Sequence, residues 1–152
     1  METLKSTELF DIRIDLGEAH RLGLTPAGER RVVPVVGGSF SGSRLRGVVL
    51  PGDADWVVMR PDGVLVLDVR ITLRTDDGAL IAVTYRGLRH GPDAVLARLR
   101  QGEPVDHSEY YFRTVPVFET GAERYRWLNR IIAVGIGRRE PDAVHYSVFE
   151  IL

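Results

Sequence analysis

The chain has no cysteine, which excludes disulfides, thiolate zinc sites and cysteine nucleophiles. Lysine is almost as scarce. Lys5 is the only one, and arginine supplies the remaining positive charge, a skew that composition bias explains most simply. No apolar run approaches the ~18 residues of a membrane-crossing helix. The opening Met-Glu-Thr-Leu-Lys lacks the charged-then-apolar layout of a secretory signal. The expectation is therefore a cytoplasmic protein with no membrane partner. A dominant charge sign is missing too. The formal net charge is −1, so no global field draws nucleic acid or an anionic surface, and no nucleic-acid partner is expected.

Several chemical signatures are also absent. His20, His90, His107 and His145 are scattered, none with a second ligand at metal spacing, so no metal is expected. There is no Gly-x-Ser-x-Gly nucleophile turn. The glycines of residues 37–42 lack the Gly-Lys-Ser/Thr ending of a phosphate loop. Nothing here demands a cofactor, and none is expected.

What is present is alternation. Leu65, Leu67, Val69, Ile71 and Leu73 share one parity, and Asp68, Arg70, Thr72 and Arg74 the other. Period two marks a β-strand with two unlike faces. Glu109, Tyr111 and Arg113 alternate in the same way with Tyr110, Phe112 and Thr114, within a strand predicted over 107–118. Further strands are predicted over 8–16, 30–36, 44–50, 56–60, 64–75, 79–88, 131–138 and 143–151, with Pro61-Asp-Gly and Asp76-Asp-Gly as hairpin turns. Residues 17–28 read as a loop, and the Gly/Ser run 37–42 as a break between strands. Residues 123–130 fit either a short helical turn or an irregular loop. Pro92, Asp93, the Val95/Leu96/Leu99 spacing and Gly102 predict the one α-helix. Gly135 and Gly137 inside a strand pattern suggest close backbone approach or a bulge. The 152 residues are one domain, 44% hydrophobic and 27% charged. Many strands, tight hairpins and no βαβ rhythm indicate an all-β, mainly antiparallel fold: a closed or nearly closed, lipocalin-like β-barrel with one short α-helix.

The order of several words supports a closer identification. They are Gly-Gly-Ser-Phe-Ser-Gly (37–42), Asp55-Trp56, Arg-Pro-Asp-Gly (60–63), Leu-Asp-Val-Arg (67–70) and Leu-Arg-Thr-Asp-Asp-Gly-Ala (73–79). They continue with Gly-Leu-Arg-His-Gly-Pro (87–92), Tyr-Tyr-Phe-Arg-Thr (110–114), Phe-Glu-Thr (118–120) and Trp-Leu-Asn (127–129). In these the chain resembles the domain-of-unknown-function family 3237, also described as uncharacterised protein family 0311, over almost its whole length. The resemblance implies a compact antiparallel barrel and a homo-oligomer, taken as a dimer. It carries no residue roles and no general activity.

The candidate site rests on the two polar lines. Asp68 and Arg70 lie two apart on a strand and so on one side of it. Spacing alone allows that side to face the lumen or solvent; the working expectation is the lumen. There, Asp68 or Glu109 would serve as base, Tyr111 as acid or hydrogen-bond donor, and Arg70 and Arg113 as anion holders. The plain alternatives are a structural ion pair or a cross-strand charge ladder. Trp56, Tyr85, Phe118 and Trp127, with Asn129 beside a loop, are the candidates for lining the pocket; for any single aromatic the alternative is core packing. The expected partner is a small molecule. The expected function is a cofactor-free acid/base enzyme, an isomerase, cyclase or lyase, acting on a carbonyl-bearing, partly apolar metabolite. The rival is a non-catalytic carrier barrel.

Overall fold

A computed structural model describes residues 1–152. Its strands are β1 (Ser6–Leu16), β2 (His20–Thr25), β3 (Gly28–Ser41), β4 (Arg46–Val49), β5 (Ala54–Met59), β6 (Leu65–Thr75), β7 (Leu80–His90), β8 (Tyr111–Glu119), β9 (Ile132–Arg139) and β10 (Ala143–Ile151). The single α-helix, α1, spans Asp93–Arg100 and follows Pro92. Gly102, just past its end, adopts φ +75°, the left-handed stop that the sequence predicts.

All pairings are antiparallel. The order runs β1-β10-β9-β8-β7-β6, and β4 and β5 then share the place between β6 and β3. The second half of β3 pairs with β1, which closes an eight-strand barrel, and β2 extends the line of β1 along the first half of β3. Closure leaves no long open edge for another chain to add to.

Two predicted breaks are absent. Residues 17–28 hold a strand, β2, whose edge position lets it form from Leu22 and Leu24 that remain exposed. Burial periodicity could not reveal it. The Gly/Ser run does not end a strand, because β3 continues through it for 14 residues. Gly38 has φ +144°, and a Cβ there would stand 2.1 Å from the Arg13 carbonyl oxygen of β1. The glycine lets β3 bend and close onto β1. Gly137 serves a similar purpose on β9, since an added Cβ would lie 2.6 Å from the Phe112 ring.

One end of the barrel is filled. Phe10, Phe40 and Phe118 pack together there, with centroid separations of 5.5 Å and 6.0 Å from Phe10. The segment Glu123–Arg130 forms a 3-10 helix that adds Tyr125 and Leu128 to this core, which settles its reading as a helical turn. The other end, near α1 and the β9–β10 turn, is open.

The facing of β6 corrects the working expectation. Leu65, Leu67, Val69, Ile71 and Leu73 are buried inside, whereas Asp68, Arg70, Thr72 and Arg74 point outward. Five apolar side chains per strand gain more from the dry interior than a mixed polar line, which would carry a desolvation cost.

Candidate active site in the barrel cavity

The outward turn of β6 removes Asp68 and Arg70 from the interior. Asp68 sits 3.8 Å from Arg86 on the outer surface, and Arg70 is exposed. Glu109 is not on a strand. It ends a 3-10 turn, His107–Glu109, and lies 3.6 Å from Arg98 of α1. Tyr111 is 45% exposed and stacks on His90 at 4.9 Å. Arg113 leans over Tyr111 at 5.2 Å and donates to the Phe112 carbonyl at 2.9 Å. Trp56 is 50% exposed on the outer face of β5. Trp127 is half-buried under the Arg44 guanidinium, 3.5 Å from its ring centre. Asn129 accepts from the Thr120 N–H at 2.8 Å and donates to the Thr120 carbonyl at 2.9 Å, closing the loop before the 3-10 helix. Phe118 belongs to the filled end. Of the residues selected from the sequence, Tyr85 alone lines the open cavity.

That cavity has a volume of about 420 Å³, within the range of small-molecule sites. Its walls are Ile14, Val35, Val57, Leu67, Val69 and Val144, residues on the inward parity of their strands. The same parity carries, beside Tyr85 on β7, the polar groups that sequence reasoning missed: Arg31 on β3, Asp55 on β5, Arg89 on β7, Arg139 on β9 and Tyr146 on β10. They interrupt inward lines that are otherwise largely apolar. The signal was legible only as an interruption, such as Arg31-Val33-Val35 or Asp55-Val57.

Asp55 is set by local backbone geometry. The β5–β6 pairing lapses between Asp55/Val69 and Val58/Val66. In that gap the Asp55 carboxylate accepts the Asp68 N–H at 3.2 Å, and Arg30 donates to the Trp56 carbonyl at 2.9 Å. Side chains thus replace two missing strand contacts. Asp55 forms no salt bridge. Burial, opposed by the Asp68 N–H and reinforced by the Asp68 charge, raises its carboxyl to about 7.

The tyrosines meet edge to face, with Tyr85 and Tyr146 at 5.3 Å and Tyr146 and Phe112 at 5.4 Å. Burial pushes both hydroxyls well above the usual phenol range, so they remain neutral donors. The Tyr146 hydroxyl is fully buried beside the Tyr85 hydroxyl, which is within interaction range but makes no hydrogen bond of good geometry with it. Buried hydroxyls ordinarily find partners, and this phenol pair is the place on the cavity wall where one is not fully supplied by the protein. The guanidinium of Arg89 is lowered to about 10, first by burial and then by repulsion from Arg139 and Arg31. Arg31 and Arg139 are lowered for the same leading reason.

The arrangement offers a carboxyl poised near neutrality, two neutral phenolic donors and a host for negative charge, inside apolar walls. No group of carboxylates or histidines in the molecule is placed to hold a metal ion, and no helix is long and apolar enough to cross a membrane.

The comparisons agree with this barrel. A protein of Rhodopseudomonas palustris is 39% identical over 150 residues, 99% of this chain and 98% of the relative. Its crystal structure, described as that of a conserved protein of unknown function, superposes with a TM-score of 0.94 at 38% identity and covers 100% of this chain and 99% of that one. A β-barrel-like protein of Acinetobacter baumannii matches at a TM-score of 0.87 and 38% identity, over 100% of this chain and 98% of the other. A structure described as an enzyme from Penicillium herquei shares the fold at a TM-score of 0.74 and 21% identity, over 100% of this chain and 97% of its own. The family model described as "Protein of unknown function (DUF3237)" matches residues 4–151, and the chain belongs to that family.

Proposed function

We propose that the barrel cavity is a proton-transfer site for a carbonyl-bearing, partly apolar metabolite, performing an isomerisation, cyclisation or elimination. Asp55 is the base, and Tyr146, with Tyr85 beside it, donates to the carbonyl oxygen. The observation that carries the reading is the Asp55 carboxyl, held by no salt bridge and only by the Asp68 N–H, in the same cavity as the buried Tyr85–Tyr146 phenol pair. A base half-ionised near pH 7 balances availability against proton affinity. A neutral phenol whose hydrogen bond strengthens as charge builds on oxygen favours the transition state over bound substrate. These side chains supply base and donor themselves.

The test begins with native mass spectrometry of the protein drawn from its own cells, to identify the bound small molecule. That molecule is then incubated with protein in deuterated water. Deuterium uptake beside the carbonyl, or conversion, should rise with pH through about 7 as Asp55 ionises and should be lost in Asp55→Asn. A ligand recovered unlabelled and unchanged favours the carrier reading, which the largely apolar wall also supports. The dimer belongs to the same proposal. Sedimentation velocity tests it, and a monomer would remove it without touching the cavity.

A further inference from the structure

We infer that the ligand of this cavity is a carboxylic acid with an apolar body, its carboxylate held by Arg31, Arg89 and Arg139 at the open end of the barrel. The inference rests on the proposed site and names the class of molecule it takes.

Three inward-facing guanidiniums from β3, β7 and β9 line one cavity. None forms a salt bridge with any carboxylate, although nine such bridges occur elsewhere in the molecule. Nor do their side chains make a hydrogen bond within the protein; the one side-chain partner among them is the Phe112 ring, 5.9 Å from the Arg89 guanidinium. The Arg139 Nη1 atom is buried with no partner. Arginine carries five donors and stays charged, so leaving three together and unpaired in a partly dry space is costly unless an anion joins them.

The nearby carboxylates do not fill that role. Asp142 on the rim is 4.0 Å from Arg13, and Asp55 is engaged by the Asp68 N–H. Glu18 and Glu29 are exposed at the rim and contact none of the three arginines through a salt bridge. The net charge of the whole chain is −1, so the positive cluster is a local construction.

The position divides the ligand. Arg21, Arg31 and Arg89 also line a second recess of about 410 Å³ beside α1, so the guanidiniums stand between the lumen and the outside. The deeper wall is aliphatic and aromatic. A molecule with its carboxylate at the mouth places its apolar body against Val35, Val57, Val69 and Val144 and its carbonyl near Asp55 and Tyr146. The planar guanidinium fork matches a carboxylate in two parallel bonds. Around the outer recess Glu29 and Asp93 offset Arg21 and Arg100, so the positive charge left without acidic neighbours there is that of the inward arginines.

The experiment is calorimetric binding of 3-phenylpropanoate, its neutral analogue 3-phenylpropanamide and phenethyl phosphate to the full chain. The carboxylate should bind at least about tenfold more tightly than the amide, the effect of one charge-assisted contact of ~1.4 kcal/mol. Arg89→Gln and Arg139→Gln should each weaken carboxylate binding about tenfold and leave amide binding unchanged. Asp55→Asn should keep or tighten carboxylate binding, even though it abolishes proton transfer. The anion site and the catalytic reading can therefore fail separately. If an arginine variant does not fold, the wild-type comparison of acid with amide still decides. Equal affinity for acid and amide, tighter binding of the phosphate, or no carboxylate binding at millimolar concentration would each overturn the inference.

Discussion

At the scale of single residues, the cavity places two groups where they are costly. Asp55 in the folded protein holds its proton up to about pH 7, whereas its ordinary value is 3.8. Between those values the native state binds more protons than the unfolded chain. Stability therefore falls as pH rises through that window, and the loss is complete above it. The loss is at most about 4 kcal/mol. Asp55→Asn, which keeps an oxygen for the Asp68 N–H, should flatten the dependence and be more stable than wild type at pH 8. Urea midpoints from pH 4 to 8 check this. A wild-type slope retained in the variant would assign the titration elsewhere. Tyr146 presents the complementary case. Its buried hydroxyl makes no hydrogen bond of good geometry in the protein, with only the Tyr85 hydroxyl nearby, so Tyr146→Phe should leave stability unchanged or raise it by about 1 kcal/mol. A loss above about 1 kcal/mol in thermal or urea unfolding would show that the hydroxyl is satisfied within the fold.

At the scale of elements, the shape of the barrel depends on how β3 bends. It pairs with β2 and β5 through its first half and with β1 and β4 through its second, and the change of partners occurs around Gly37 and Gly38. Gly38→Ala meets both a positive φ and a carbonyl oxygen of β1, so it should cost more than about 3 kcal/mol. Equilibrium unfolding measures that cost, and a variant as stable as wild type would mean that β1 and β3 separate there without penalty. The polar outer line of β6 makes the opposite case. Arg70 is exposed and carries no salt bridge, so Arg70→Leu should change stability by no more than about 0.5 kcal/mol. A melting temperature that drops by many degrees would return that face to the interior.

At the scale of the whole molecule, the sequence read well wherever burial and local turn chemistry point the same way. The alternation over residues 64–75, the hairpin turns and the glycine after α1 were legible because each is satisfied within a few residues. β2 was not legible, because an edge segment beside an open mouth forms without a buried face. The continuous β3 was hidden because glycines usually punctuate strands, whereas here they allow a bend. The site failed for a related reason. Asp68, Arg70, Tyr111 and Arg113 form a conspicuous polar pattern, but a regular polar line is what an outer barrel face requires. The interior chemistry comes from scattered interruptions of apolar lines, two on β7 and others on β3, β5, β9 and β10.

The sequence alone therefore determined the class of fold, the parity of β6 and β8, the position of α1 and the family, because these depend on local propensity, period and word order. Only the tertiary structure decided which parity faces inward and which residues meet. Facing is set by the total apolar area that closure removes from water, a sum over all strands. The meeting of Arg31, Asp55, Arg89, Arg139 and Tyr146 is set by strand order and register, which bring to one barrel end residues as far apart as 31 and 146 in the chain.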